Sequence, residues 1–257
     1  MDWSTRRQLI YLAGFLLLVF GVISSVYFIF FRTPSTCFDG VLNQEELGID
    51  CGGGCQAVCV SEVSSPIKRW ARVFQVRDGL YDVAALIENP NKNIGAREFK
   101  YTFRVHDKDA ILITDKSGTV FLNPNEQMVV FESGINAGNR VPARAFIEFD
   151  LSRQKWQRID PDSQGVNLVV SNTNLVGGDN PSLSANITNS GDADVADVFV
   201  TAVVYDDDNN AVGVSSTFIN YLSKDQTRNI FFDWPNSFTR PPTSFEIFPR
   251  VNLIKSS

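Results

Sequence analysis

The hydrophobic and polar positions divide the chain into two parts with different patterns. Residues 9–31, LIYLAGFLLLVFGVISSVYFIFF, form a run of 23 residues without a charged side chain. A helix rises about 1.5 Å per residue, so a run of this length spans the roughly 30 Å hydrocarbon core of a bilayer. The apolar region of a cleaved signal peptide holds only about 7–15 residues. The pattern therefore predicts an uncleaved transmembrane signal anchor that contacts the lipid bilayer through residues 9–31.

The part of the chain that follows the cysteines shows apolar and polar residues in alternation. In REFKYTFRVHD, residues 97–107, every second residue from Phe99 to Val105 is apolar. This alternation predicts a half-buried strand. The pattern returns 99 residues later in DVFVTAVVYDDD, where Tyr205 and Asp206 align with His106 and Asp107. The positions predicted to face a core are Phe99, Tyr101, Phe103 and Val105 in the first stretch and Val198, Val200, Ala202 and Val204 in the second.

Flanking stretches keep nearly the same spacing. ALIENPN at 85–91 matches ANITNSG at 185–191, and TVFLNPNEQ at 119–127 matches TFINYLSKDQ at 217–226. A repeat this long indicates tandem domains rather than a solenoid, whose period is about 20–50 residues. Each copy contains six or seven short apolar-polar strands, so we expect an all-β fold of two tandem immunoglobulin-like β-sandwiches. The predicted strands cover 69–76, 80–88, 97–105, 110–114, 118–122, 127–133 and 144–150, then 166–172, 182–188, 197–205, 211–219, 226–234 and 244–253.

These patterns divide the chain into five segments, with residues 159–165, IDPDSQG, as the linker between the sandwiches. The segments are a cytoplasmic tail at 1–8, the transmembrane anchor at 9–31, a cysteine-rich stalk at 32–63, and β-sandwiches at 64–160 and 164–257.

The distribution of charge predicts the orientation of the anchor. Arg6 and Arg7 precede the apolar run and Asp2 is the only acid there, which leaves 21 basic and 28 acidic residues in the remainder. The positive-inside rule places the N-terminus in the cytoplasm and residues 32–257 outside. We therefore expect a single-pass protein of the cytoplasmic (plasma) membrane with an extracytoplasmic C-terminal part.

Composition narrows the functional classes. A pI of about 4.9 and a net charge of −6 argue against a nucleic-acid partner, because phosphate contacts need clustered Lys and Arg. The only histidine is His106, at the end of a predicted strand with no second histidine or cysteine near it in sequence. Most acid–base and metal chemistry needs such a partner, so we expect no catalytic residue and no enzyme activity.

All four cysteines lie between Cys37 and Cys59, in CFDGVLNQEELGIDCGGGCQAVC. Outside the cytoplasm an even number of closely spaced cysteines predicts disulfides, here between Cys37, Cys51, Cys55 and Cys59. Three pairings satisfy the spacing, and sequence does not choose among them. A four-cysteine zinc site and a redox-active or intermolecular pair are the alternatives, although zinc knuckles favour closer C-x2-C pairs.

The acidic side chains between these cysteines form a candidate calcium site. Asp39, Asn43, Glu46 and Asp50 could supply the oxygen ligands that Ca²⁺ prefers. The alternative is a solvated loop in which Gly40, Gly48 and the glycines at 52–54 supply unusual backbone angles. Apart from this Ca²⁺, no cofactor is expected.

The cysteine stretch resembles a short motif, C-x-DG-x2-N-x2-E-x-G-x-DCGG-x-C-x3-C, that recurs beside other modules in secreted and surface proteins. The resemblance covers about a tenth of the chain, residues 37–59. It implies an extracytoplasmic location and a stapled spacer near the membrane, and it implies no catalysis.

A second resemblance concerns LYDVAALIENPN, FKYTFRVHDKD and LNPNEQ, which are similar to the FxLYD and late-embryogenesis-abundant type of β-sandwich. These families share a strand, then N-P-N or N-x-G, then a strand that ends in an aromatic residue and Asp. The second copy has Tyr205-Asp206 at that place, whereas the first has His106-Asp107. The resemblance implies a fold and carries no general biochemical activity.

Three further groups are candidates for function, each with an ordinary structural explanation. The acidic stretch YDDDNNAVG, residues 205–213, is a candidate cation loop or a solvated turn. Asn186 begins a glycosylation sequon inside a predicted strand. Trp70, Trp156 and Trp234 are either a platform for a sugar or part of the cores.

The sequence thus predicts a non-enzymatic binding or scaffolding protein of the cell envelope, whose partner is another envelope protein or a surface polymer. The alternative is an accessory subunit of a membrane transport or secretion complex. In that case the anchor is the interface, with Gly14, Gly21, Ser24 and Ser25 permitting close helix packing.

Overall fold

The computed structural model describes residues 3–30, 36–43, 45–160 and 165–254. A single helix, α1 (Trp3–Phe30), is followed by an all-β fold. Within the described residues, α1 is the one helix long and apolar enough to cross a membrane. The predicted end of the anchor, the start of the stalk, the linker residues 161–164 and the chain end at 255–257 lie outside the described residues.

Thirteen strands follow in the described chain, and short 3-10 turns at Val60–Glu62 and Leu151–Arg153 flank two of them. The strands are β1 (Ile67–Arg77), β2 (Leu80–Glu88), β3 (Ile94–His106), β4 (Leu112–Leu122), β5 (Gln127–Asn136), β6 (Arg144–Glu148), β7 (Trp156–Arg158), β8 (Leu168–Val176), β9 (Ser182–Asn189), β10 (Val195–Tyr205), β11 (Ala211–Leu222), β12 (Thr227–Asp233) and β13 (Ser244–Arg250).

The two halves of this β region have the same strand order. In the first half one sheet runs β1-β2-β5 and the other runs β4-β3-β6, with β7 pairing the start of β3. In the second half the sheets run β8-β9-β12 and β11-β10-β13. Every pairing is antiparallel, and β3 and β10 each lie between the corresponding two neighbours. The two sheets of each half face each other across their own hydrophobic core, as in a sandwich.

The alternating residues of β3 and β10 face these cores, as the sequence predicts. Phe99, Phe103 and Val105 are fully buried in the first core, while Lys100 and Arg104 between them are exposed. In β10 the core positions are Val198, Val200, Ala202 and Val204.

A third apolar cluster joins the two sandwiches. It contains Ala84 and Leu86 of β2, Val129 of β5, and Val203 and Tyr205 of β10. These side chains lie on the outer faces of the β1-β2-β5 and β11-β10-β13 sheets, so the sandwiches stack face to face as four layers. Strands β2 and β10 are consequently buried on both faces, which a purely alternating pattern does not predict.

Two strand predictions are wrong in an informative way. The sequence pattern predicts separate strands at 110–114 and 118–122, but β4 is continuous from Leu112 to Leu122. Gly118 lies within it because a Cβ there would approach the Tyr101 hydroxyl to 2.3 Å. The glycine therefore serves packing rather than a turn. The pattern does not predict strand β7, because three residues are too few to show an alternation of apolar and polar positions.

Candidate functional sites and interfaces

The cysteine-rich motif is closed by two disulfides. Cys37 is bonded to Cys55, and Cys51 is bonded to Cys59, with sequence separations of 18 and 8. The two disulfide loops therefore overlap in sequence, at residues 51–55. All four sulfurs are used, which leaves no thiolate as a ligand for zinc or as a redox nucleophile.

The motif is joined to the first sandwich through main-chain hydrogen bonds. The Val58 amide donates to the Trp156 carbonyl at 3.0 Å, and the Arg158 amide donates to the Gln56 carbonyl at 2.8 Å. Val58 is part of the first core, and Arg158 forms an ion pair with Glu62 at 3.1 Å. Residues 56–58 therefore extend the sheet beyond β7, and the predicted stalk is docked on the sandwich.

The candidate calcium ligands lie in one loop, where they bind one another and the backbone. Asp39 accepts hydrogen bonds from the Val41 amide at 2.9 Å and from the Asn43 side-chain amide at 2.8 Å. Asp50 accepts from the Gly40 amide at 3.1 Å, and Glu46 accepts from the Asn43 amide at 3.3 Å. The hydrogen bond from Asn43, followed by backbone amides, lowers the pKa of Asp39 below its usual value.

These contacts bear on how the loop could hold a cation. Oxygen ligands of one Ca²⁺ lie within about 4.8 Å of each other, since each is about 2.4 Å from the ion. The carboxylates of Asp39, Glu46 and Asp50 do not form such a group among the described residues. Calcium would have to displace amide donors from Asp39 and Asp50, and calcium binding here stays a prediction.

His106 lies half-buried at the end of β3, where its backbone pairs with Leu112 and Arg144. Its ring packs edge-on against Phe146 with centroids 5.4 Å apart. Within the described residues its buried Nδ1 has no hydrogen-bond partner. Its Nδ1 therefore makes no hydrogen bond to a carboxylate or hydroxyl group in the described part of the chain, as a catalytic pair would require.

The acidic stretch after Tyr205 forms ion pairs with Arg240, which lies more than 30 residues further along the chain. Arg240 reaches Asp206 at 3.2 Å and Asp208 at 2.6 Å. Asp206 is buried and accepts the amides of Asp208 and Asn210 at 3.1 and 2.7 Å. Burial alone would raise the pKa of Asp206, but the hydrogen bonds from Asn210 and the Arg240 charge outweigh it, so the pKa lies below its usual value. Arg240 thus pairs with two of these carboxylates, while carboxylate oxygens of Asp206, Asp207 and Asp208 lie within 4.8 Å of one another, so cation binding here stays a prediction.

The three tryptophans do not form a sugar platform. Trp156 is buried in the first core and donates to the Leu151 carbonyl at 3.1 Å. Trp234 is buried in the second core, with its indole donating to the Val214 carbonyl at 3.2 Å. Trp70 packs against the cluster between the sandwiches. The sequon residue Asn186 lies within β9, where its side chain accepts a hydrogen bond from Asn229 at 2.8 Å.

Sequence reasoning missed a buried asparagine that recurs in both halves. The Asn89 side chain is fully buried and donates to the carbonyls of Ile94 and Asn123 at 2.7 and 2.8 Å. Its Oδ1 accepts the Asn91 amide at 3.1 Å. One side chain thereby joins three chain segments at the end of the first sandwich.

Asn189 makes the corresponding contacts in the second half. It is fully buried, donates to the carbonyls of Ala193 and Leu222 at 2.8 and 3.2 Å, and accepts the Gly191 amide at 3.1 Å. The matching stretches ALIENPN and ANITNSG contain the signal, an Asn at the end of an apolar strand. That signal indicates a turn, and only the fold shows that each side-chain amide is buried and joins separate chain segments.

A polar site between the sandwiches was also missed. Arg250, at the end of β13, is 6% exposed and binds Glu126 of the first half at 2.7 and 2.8 Å. It also donates to the Phe121 carbonyl at 2.8 Å and stacks over the Phe121 ring at 4.1 Å. Asn123 donates to the Val251 carbonyl at 2.9 Å. These partners are more than 120 residues apart in sequence, so no local pattern indicates them.

Two open clefts lie where the sandwiches meet. The first, of about 760 Å³, is lined by Arg72 and Phe146 of one sandwich and by Phe238 and Arg240 of the other. The Arg72 guanidinium donates to the Asn210 side chain at 2.6 Å and closes part of this cleft.

The second cleft, of about 990 Å³, is lined by aromatic and hydroxyl side chains and by exposed Arg97. Phe121, Phe199 and Phe218 form a ladder with centroid spacings of 5.8 and 5.0 Å. Phe199 and Phe218 remain about half exposed, at 47% and 45%. Half-exposed rings beside hydroxyl groups offer both an apolar contact and polar anchoring to a ligand.

Comparison with known proteins does not assign the chain to a family. No family model matches the sequence, and no curated protein does. Among solved structures, a β-glucuronidase from glycoside hydrolase family 2 is similar over 60% of this chain, at 8% identity and a TM-score of 0.19. The match spans 20% of that enzyme's length, and at this TM-score it carries no argument about fold or activity.

Proposed function

We propose that this protein is a membrane-anchored, extracytoplasmic binding or scaffolding protein of the cell envelope, without enzyme activity. The apolar helix α1 and the disulfide-closed motif after it support this location. In the proposed topology the N-terminus lies in the cytoplasm and two immunoglobulin-like sandwiches of the FxLYD or late-embryogenesis-abundant type lie outside. The partner is another envelope protein or a surface polymer.

The observation that carries the proposal is the aromatic cleft between the two stacked sandwiches. The buried cluster and the Arg250–Glu126 pair hold the sandwiches together, so the cleft walls come from both halves. Phe199 and Phe218 each leave about half of their surface exposed on this wall. A fixed cleft with exposed rings favours ligand recognition over catalysis, because recognition needs no acid–base pair.

The test is crosslinking in the native cell with the full chain. We expect the Phe199→Ser/Phe218→Ser variant to lose a crosslinked partner that the parent chain captures. Phe231→Ser is the matched control, because Phe231 is 63% exposed on β12, away from the cleft. A partner captured equally by all three proteins would place recognition elsewhere. Turnover of wall polymers by the purified chain would refute the non-enzymatic assignment.

The accessory-subunit alternative rests on the helix. A Cβ at Gly14 or Gly21 would have no atom from elsewhere in the described chain within 4 Å, so a partner helix could approach these glycines closely. Replacing α1 with an unrelated transmembrane helix separates the two functions. Loss of the partner would favour the accessory subunit, and its retention would favour the binding protein.

A further inference from the structure

The disulfide-closed motif exposes an unusual number of large apolar side chains. Phe38 is 87% exposed, and four more within the same twelve residues are each about 60% exposed. These four are Val41, Leu42, Leu47 and Ile49. Scattered single apolar residues on a surface need no explanation, but a group this dense in so short a segment marks a contact surface.

Three acidic side chains of the motif are partly exposed and bind the loop backbone. Asp39, Asp50 and Glu46 turn toward the backbone, where they accept amide hydrogen bonds within the loop. The disulfides Cys37–Cys55 and Cys51–Cys59 hold this arrangement, so the apolar side chains cannot collapse into a core of their own. The motif thus satisfies its acids with its own amides and leaves its large apolar side chains more than half exposed, so contact with an apolar environment would stabilise it.

The position of the motif along the chain identifies that environment. Helix α1 is described to Phe30, and the motif begins at Thr36. The eight residue steps from Phe30 to Phe38 span at most about 29 Å even when fully extended. If α1 crosses the bilayer, Phe38 therefore stays within reach of the lipid headgroups on the side where the helix emerges.

We propose that the 37–51 loop inserts Phe38, Val41, Leu42, Leu47 and Ile49 into the interface of the bilayer that holds α1. This inference rests on the membrane anchoring proposed above. Burying apolar side chains at the headgroup–acyl boundary stabilises such a contact without any specific lipid. Because Ala57 and Val58 dock the motif on the first sandwich, the insertion would also fix how the sandwiches stand on the membrane.

The experiment uses the full chain in phosphatidylcholine nanodiscs. The photoreactive amino acid benzoylphenylalanine replaces Phe38, Ile49, Phe20 or Phe231, one position at a time. Phe20 reports whether α1 lies in lipid, and Phe231 reports an exposed site on the second sandwich. After irradiation, mass spectrometry measures the lipid adduct at each position. We expect roughly ten-fold more adduct at positions 38 and 49 than at 231, because the loop contacts acyl chains and the second sandwich does not.

The outcomes distinguish this inference from the proposed function. Adduct at position 20 with none at 38 or 49 would overturn loop insertion while leaving the anchor intact. No adduct at position 20 would refute the anchor and the insertion together. Equal adduct at 38 and 231 would also refute the insertion.

A second measurement uses the Leu42→Ser/Leu47→Ser variant with benzoylphenylalanine at position 49. We expect several-fold less lipid adduct, with both disulfides still present by intact mass, because less apolar surface is inserted. An unchanged yield would mean that the loop does not insert as a unit.

Discussion

The two sandwiches share a local structure and differ in what surrounds it. Asn89 and Asn189 staple the same end of each half, and an aspartate caps the turn at the opposite end of each central strand. Asp107 accepts the amides of Asp109 and Ile111, just as Asp206 accepts those of Asp208 and Asn210. The turn chemistry is therefore set locally in both halves.

The surroundings of the two turns are nevertheless different. Asp206 is 2% exposed and lies beside Arg240 and the interface with Arg72, whereas Asp107 is only partly buried. Tyr205, in the strand position of His106, is buried between the sandwiches, with its hydroxyl 3.0 Å from Glu246. The same aspartate turn is therefore partly exposed in the first sandwich and buried beside an arginine in the second, where the sandwiches meet.

The largest effect tests the equivalence of the asparagine staples. Asn89→Ala and Asn189→Ala should each lower the free energy of unfolding by about 4 kcal/mol, because each leaves two buried carbonyls and one amide without a partner. Urea unfolding of the full chain in detergent, followed by tryptophan fluorescence, measures the loss. Asn93→Ala, an exposed neighbour, is the control and should stay within about 0.5 kcal/mol. A loss at only one staple would refute the equivalence.

The next effect tests what holds the two halves together. Arg250→Met should cost about 3 kcal/mol, because it leaves Glu126 partly buried without its partner. It should also move the unfolding midpoints of the two sandwiches apart, because a contact between them is lost. Arg228→Met on exposed β12 is the matched control. If the variant unfolds in one transition at the parent midpoint, the ion pair does not join the halves.

A smaller, pH-dependent effect on stability distinguishes the Asp206 turn from the Asp107 turn. Asp206→Asn should lower the urea midpoint more than Asp107→Asn does. Because the folded pKa of Asp206 is lowered, its contribution is complete above its unfolded pKa, about 3.9, and is lost as the pH falls through the folded value. The gap between Asp206→Asn and the parent chain should therefore close in acid. A gap independent of pH between 7 and 3 would contradict this assignment.

The smallest effect concerns the docked cysteine motif, which the first sandwich has and the second lacks. Glu62→Gln removes a partly exposed ion pair with Arg158 and should cost about 0.5 kcal/mol. Amide hydrogen exchange at residues 56–58 should rise slightly while that of β10 stays unchanged. Glu98→Gln, on the exposed side of β3, is the control. An equal rise with Glu98→Gln would mean that the Glu62–Arg158 ion pair does not contribute to the docking of the motif.

Much of the fold could be predicted from local patterns. The uncharged run at 9–31 predicts α1, and alternation predicts the inward positions of β3 and β10, because side chains alternate strictly along a strand. Strand β2 is predicted to the residue, at Leu80–Glu88. The disulfide requirement also follows from the spacing of four cysteines, but their pairing depends on which loops approach in three dimensions.

Interfaces between distant segments could not be predicted in this way. The outward residues Ala84 and Leu86 look like an ordinary apolar stretch, and Arg250 looks like a surface residue at a strand end. Their burial depends on the stacking of two sheets whose residues are far apart in sequence, and no period of 2 or 3.6 encodes that contact. Likewise, the acids of YDDDNNAVG suggest a metal, and only the fold brings Arg240 against them.

The sequence by itself determined the apolar helix, the strands with their inward faces, and the turns at Asp107 and Asp206. These features depend on side-chain period and on hydrogen bonds within a few residues, which the local sequence specifies. Only the tertiary structure decided the four-layer stack, the burial of Arg250 with Glu126, and the apolar exterior of the cysteine motif. Those features depend on which surfaces exclude water together, and that is a property of the assembled sheets rather than of any single segment.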